Sequence, residues 1–188
     1  MSLHPFYRSV VAMFCGPHDE GEGAPTRRID RAIELSVELC SPLLIAGDGN
    51  YGMDVDLFVS RAETAHVVYV RAFFQRPPST LTDARSVVSE IINNPPFLVV
   101  RDIHLVTDDW HMVRAAGILE GELQRGMPHR QSPDRPVPTV RREPVTTGPR
   151  PPEDILHGER QGLLDYLAGR YGSRVAHPPF GKPCEVQP

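Results

Sequence analysis

Thr107, Asp108, His111 and Arg114 lie within one short stretch of the chain, and their types could together bind and act on an anion. An imidazole titrates near pH ~6.5, so His111 can take or give a proton near neutrality. The Arg114 guanidinium offers a fixed fork of donors to a phosphate or carboxylate. Asp108 joins His111 as a catalytic candidate, and Thr107 as a ligand contact. The surrounding residues read as a strand running straight into a helix. Ile103, Leu105 and Val106 suit a strand covered on both faces. Thr107, Asp108 and Asp109 are of the types that cap a helix N-terminus. Met112, Ala115, Ala116, Leu119 and Leu123 then form one apolar stripe. His111 and Arg114 fall off that stripe, so replacing either by Ala is expected to stay within about 0.5 kcal/mol. The plain alternative is a capped surface helix whose His and Arg are simply solvated.

Other polar clusters could converge on the same chemistry. Gly16-Pro17-His18-Asp19-Glu20 follows an apolar run, and its His18 is a ligand-contact candidate. Arg27 and Arg28 sit in the first turn of the next helix, where cations oppose the helix dipole. An anionic partner would resolve that, although both arginines being exposed would equally explain it. Gly47, Asp48, Gly49 and Asn50 form a turn whose glycines let the backbone approach a ligand or another loop. Its spacing matches neither the dinucleotide fingerprint nor the phosphate loop. Thr80 and Asp83 are spaced as a capping box. Glu159 lies close to the apolar stripe of the last helix, so it either pairs with an arginine inside or faces a site.

These residues need a scaffold, and the composition supplies one. The chain has 188 residues, 40% of them hydrophobic, enough for one domain with its own core. Net charge is −4 and the pI is about 6.0, which gives no electrostatic reason to expect nucleic-acid binding. Neither an apolar run of about eighteen residues nor a secretory signal pattern is present, so a soluble protein without membrane association is expected. Cys15, Cys40 and Cys184 are unclustered and odd in number, which suits a cytoplasmic, reducing compartment. Lys182 is the single lysine among twenty basic residues, a bias that fits a GC-rich bacterial genome.

Strand-like and helix-like segments alternate along the chain. Strands are expected at Ser9–Cys15, Pro42–Ala46, Val67–Val70 and Ile103–Val106, with a brief fifth at Val137–Val140. Between them come a helix capped by Thr26 with Ile29, Ala32, Ile33, Val37 and Cys40 inward, a short helix from Asp54 to Glu63, and one carrying Ala84, Val87, Val88 and Ile91. A Pro-rich segment, 127–152, reads as a long loop around the fifth strand. Glu153 to Arg170 closes the core as a helix with Leu156, Leu163, Leu164 and Leu167 apolar, and the tail 173–188 reads as irregular. The pattern predicts one domain over 1–188 with its core at about 8–171. Its class is a three-layer α/β/α Rossmann-like sandwich with a mainly parallel sheet of about five strands. Ligands of such sheets bind at the carboxyl ends of the strands, where the polar turns would gather.

The run Val106-Thr107-x-x-x-His111-Met112-x-Arg114-Ala115 resembles the YdcF/SanA/ElyC-type domain found widely in bacteria. That family shows a Val-Thr-Ser-x-x-His-Met-x-Arg-Ala run after its fourth strand. Its Thr-x-Glu-Asn-Ala helix start corresponds to Thr80-Leu81-Thr82-Asp83-Ala84, its Ser-Gly-Gly turn to Ala46-Gly47-Asp48-Gly49, and its first-helix arginine to Arg27 or Arg28. Glu159 could match a glutamate of the family's closing helix. Thr82 and Asp83 replace the family's Glu-Asn pair, and Asp108 its Ser. The resemblance implies a Rossmann-like sandwich and a nucleotide-like ligand, with S-adenosylmethionine among the candidates.

Two functions of different class fit. In one, an enzyme acts on a small anionic or nucleotide-like molecule, with His111 as acid/base and Arg114 and Arg27 or Arg28 holding the anion. Asp48, Asp83 and Asp108 would orient the ligand or hold a weak divalent cation, as in phosphoester hydrolysis. In the other, the same pocket binds without turnover, since no Gly-x-Ser-x-Gly elbow or other activated nucleophile is visible. His104, Asp108 and His111 are close in sequence, but they do not show zinc-type spacing, and no tight metal site is expected.

Overall fold

The computed structural model describes residues 6–15, 24–47, 55–72, 79–127, 136–146 and 148–171. Five strands alternate with five helices: β1 (Ser9–Phe14), α1 (Ala24–Glu38), β2 (Leu43–Ala46), α2 (Val55–Thr64), β3 (Tyr69–Ala72), α3 (Thr80–Asn93), β4 (Asp102–Asp108), α4 (Met112–Gly126), β5 (Thr139–Val145) and α5 (Glu153–Leu167). All pairings are parallel, in the order β3-β2-β1-β4-β5. The expected α/β sandwich is therefore the fold. β1 to β3 step outward in one direction, and the chain then crosses back to place β4 on the other side of β1. The order reverses between β1 and β4, the switch point beside which ligands of such sheets bind.

Alternation along each central strand divides the core into two layers. Val11 and Met13 of β1 and the following Cys15, with Val106 of β4, pack under Ile29, Ala32 and Leu35 of α1 and Phe58 of α2. Val10, Ala12, Phe14, Ile103 and Leu105 face the opposite way, onto α3 and α4. The predicted stripes of those two helices, Ala84/Val87/Val88/Ile91 and Met112/Ala115/Ala116/Leu119/Leu123, are all buried. Burying a Val or Leu side chain stabilises by roughly 1.5–3 kcal/mol, which is why these stripes dominate the fold. No helix among the described residues is long and apolar enough to cross a membrane.

Several local expectations differ from what is observed. Thr107 and Asp108 end β4 instead of capping α4, because β5 continues alongside to Val145 and extends the ladder to Asp108. His111 takes the N-cap position of α4 and makes no side-chain cap bond. The capping box of α3 is Ser79 with Thr82, one residue before the Thr80/Asp83 spacing. Ser79 Oγ accepts from the Thr82 N–H at 3.2 Å, and Thr82 Oγ1 accepts from the Ser79 N–H at 2.7 Å. A threonine at that third position does the work usually given to glutamate. β5 is longer than Val137–Val140 and carries Arg141, Arg142 and Glu143 on a sheet edge. Each has an ionic partner, Asp102, Glu120 and Arg31 respectively. α1 begins at Ala24, before Thr26. Val37 and Cys40, expected inward, are exposed where the helix ends, Cys40 with a positive φ of 48°.

α5 departs furthest from expectation. It packs on α4, outside the sheet, so only a narrow face is covered. Tyr166 and Asp165 are buried, while Leu164 and Leu167 of the predicted apolar stripe stand exposed. The helices approach closely because Gly117 leaves room for Leu163. A Cβ at Gly117 would lie 2.9 Å from the Leu163 Cδ1.

Candidate functional site

At the carboxyl end of β4 the side chains separate by strand alternation. Asp108 points to the α1 side, and its buried carboxylate forms an ion pair with Arg28 of α1. Arg28 is 0% exposed and Asp108 1%, so this pair sits inside the domain. The anionic partner expected for one of the two α1 cations is thus supplied by the protein. Arg27, by contrast, is exposed and donates to the Thr146 carbonyl at 3.3 Å, just beyond β5. Asp108 Oδ1 and Thr107 Oγ1 are buried and have no hydrogen-bond partner. Such atoms are rare in folded proteins, and each would be satisfied by a ligand donor.

Cys15 continues β1 beside this pair. Burial, and secondarily the negative charge of Asp83, push its thiol well above the ordinary value of 9.0, with Arg28 partly opposing. The thiol therefore stays protonated at neutral pH and is no nucleophile. Arg28 and Asp108 meet beside the switch point between β1 and β4.

On the α4 side, His111 stands between α3 and α5. Its Nδ1 lies 2.6 Å from Glu159 Oε2, and its Nε2 lies 3.4 Å from Thr80 Oγ1. A carboxylate oxygen can only accept, so Nδ1 carries the proton in that contact. Arg114 Nη2 lies 3.4 Å from the same Nδ1, but it donates instead to Glu159 Oε1 at 2.7 Å. The shorter contact decides the tautomer. In the tautomer with its one proton on Nδ1, Nε2 is bare and accepts a long hydrogen bond from the Thr80 hydroxyl. Glu159 answers both sequence alternatives at once, pairing with an arginine and facing the candidate site.

This triad removes the alternative that His111 and Arg114 are simply solvated, and corrects the expectation that either could be replaced at little cost. His111 is only 9% exposed, and Glu159 ties it and Arg114 across from α4 to α5. Gly162 makes that crossing possible, since a Cβ there would stand 3.0 Å from both Arg114 Cδ and Nη1. Trp110, which the sequence reading passed over, tilts against the His111 ring at 5.6 Å between centroids. The Trp110 backbone N–H donates to Asp109 Oδ1 at 2.7 Å, and the Thr146 hydroxyl donates to Asp109 Oδ2 at 3.1 Å, so the β4–α4 turn is tied to the end of β5.

Of the remaining candidates, Gly47 is buried at the end of β2. His18, Asp48, Gly49 and Asn50 lie outside the described residues. His104 points to the α1 side of the sheet and pairs with Glu143 at 3.1 Å, so it does not join Asp108 and His111. Among the described residues no cluster of three or more His, Cys, Asp or Glu could hold a metal ion.

A second polar network was missed. Glu122 of α4 is buried and receives Arg85 at 3.0 Å, Arg125 at 2.9 Å and the Tyr166 hydroxyl at 2.9 Å. Its signal was available: Glu122 falls between Leu119 and Leu123 on the apolar stripe of α4. Comparisons with protein-family models, with curated proteins and with solved structures found no match.

Proposed function

We propose that the protein binds a small anionic or nucleotide-like ligand at the carboxyl ends of β1 and β4, and that His111 serves as acid/base toward it. The observation that carries this reading is the His111–Glu159 contact, with the opposite ring nitrogen bare and held only by a long bond to Thr80. A carboxylate that fixes one imidazole nitrogen leaves the other to exchange a proton with a bound group. Arg114, already anchored by Glu159, supplies positive charge beside the N-terminus of α4, where backbone N–H groups favour anions. The likeness of Val106–Ala115 to the YdcF/SanA/ElyC-type run supports the same reading, with S-adenosylmethionine as one ligand to test. Free thiols at Cys15 and Cys40 support a reducing, cytoplasmic setting.

A binding module without turnover is the second reading, favoured by the protonated state of Cys15 and by the commitment of Asp108 to Arg28. A third chemistry, phosphoester hydrolysis with a weakly held divalent cation, would use the unpartnered Asp108 Oδ1 as an oxygen ligand.

The test is a panel of phosphoesters and S-adenosylmethionine, with and without Mg²⁺, read by thermal shift and by product formation. A ligand at one hundred times its Kd stabilises by about 2.7 kcal/mol. His111→Asn should abolish turnover while leaving a measurable shift. Shifts in both proteins without turnover in either would select the module. No shift with any panel member would reject the site.

A further inference from the structure

Next to the triad, an open groove of about 790 Å³ runs between the first half of α4 and α5. Its size suits one small organic ligand. Arg114 and Glu159 are among its lining residues, and Glu159 is the residue that pairs with His111. The walls are apolar: Trp110 and Val113 from α4 and its leading turn, Leu156, Leu163 and Leu164 from α5. Val113 is 61% exposed and Leu164 56%, two of several large apolar side chains that stand in water. Both are groove walls, so one occupant would cover both.

The polar side chains of the groove select what kind of occupant. Arg114, Arg150 and Arg160 line it, against the carboxylates of Asp109 and Glu159. Both carboxylates are engaged, Asp109 by the Trp110 backbone N–H and the Thr146 hydroxyl, Glu159 by His111 and Arg114. Arg150 and Arg160 share one exposed partner, Glu153. Arg114 Nε is buried without an acceptor. Counting Glu153, three arginines stand with three carboxylates in and beside the groove, so its charge is balanced and the guanidinium donors are what an anion would meet there. This is an apolar-walled slot with arginine donors along it.

We propose that the groove is a subsite for the apolar body of an organic anion, whose carboxylate or phosphate lies at Arg114 and His111. The inference rests on the anion-binding reading above and narrows its ligand class from any small anion to an amphiphilic one. A bare phosphate would fill the head position and leave Val113 and Leu164 in water. An aliphatic or aromatic body on that head would cover them.

Trp110 is the chain's single tryptophan and stands in the groove, so its emission reports occupancy directly. The experiment titrates octanoate, 1-octanol and inorganic phosphate into the wild type, Leu164→Glu, Leu164→Met and Arg114→Leu, following Trp110 emission. The expected result is saturable binding of octanoate, at least tenfold tighter than octanol. Leu164→Glu and Arg114→Leu should each weaken it tenfold or more, and Leu164→Met should leave it unchanged. Equal binding of octanol, or octanoate binding indifferent to Leu164→Glu or to Arg114→Leu, overturns the inference. Sedimentation of the same proteins covers a further outcome: self-association abolished by Leu164→Glu would make the groove an interface between copies and also overturn it. The thermal-shift panel separates the two levels. Panel ligands that still bind in Leu164→Glu and fail in His111→Ala, with octanoate inert, would reject the subsite alone. Octanoate binding with a panel that never responds to His111→Ala would reject the broader reading instead, and with it the joined ligand.

Discussion

Removing Arg28 while keeping Asp108 should destabilise the fold severely. In Arg28→Met a side chain of similar reach replaces a guanidinium that is 0% exposed, and Asp108, 1% exposed, keeps its charge. Asp108 Oδ1 already has no partner, so the substitution would strip both carboxylate oxygens of donors. Breaking a buried pair from one side costs about 3–5 kcal/mol, because the survivor is an uncompensated charge in a poor solvent. For a chain of this size each kcal/mol shifts Tm by about 2–4 °C, giving a loss of about 6–20 °C. The double variant Arg28→Met/Asp108→Leu removes both charges and should recover most of that loss. Thermal and urea unfolding of the four proteins would complete the cycle, with a coupling of about 2 kcal/mol or more expected. If each single variant loses under about 1 kcal/mol, or the double is simply additive, the pair is not the buried contact described and the reasoning fails.

Four further outcomes are expected. His111→Ala should cost about 1–3 kcal/mol of stability through the lost bond between α4 and α5, well beyond a surface change, as read by urea unfolding. Glu159→Gln should release the His111 tautomer, seen as a redistribution of the imidazole ¹⁵N shifts; an unchanged spectrum would remove Glu159 from the role of positioning it. Gly162→Ala should displace Arg114 and loosen its pairing with Glu159, weakening any anion bound at Arg114 while the far-ultraviolet circular dichroism stays unchanged. Alkaline stability should respond to the two groups held protonated by the fold. Burial, and then the hydrogen bond to Glu122, raise Tyr166 above its ordinary 10.0, and burial raises Cys15 above 9.0. A raised folded value means the folded state retains the proton. Its contribution is therefore complete below the ordinary value and lost as pH rises beyond it. Cys15→Ala should flatten the decline that begins above pH 9, and Tyr166→Phe the decline above pH 10, in pH-dependent unfolding.

The two-layer core was legible because strands and helices carry their own periods. Val10 through Phe14 alternate between the two faces, and the α3 and α4 stripes repeat at helical spacing, so local pattern and final burial agree. The chemistry-bearing run from Thr107 to Arg114 was equally readable, since residue type and closeness in sequence are local facts. What His111, Arg28 and Glu159 touch was not. Arg28 and Asp108 are eighty positions apart, and His111 and Glu159 forty-eight, so only the crossing of β4 beside β1 and the docking of α5 on α4 could pair them. The same docking decided which leucines of α5 face water, because a helix laid on another helix buries a narrower face than one laid on a sheet. Sequence set the elements and the inventory of reactive groups. Tertiary structure set the partners, because charges find each other across space and not along the chain.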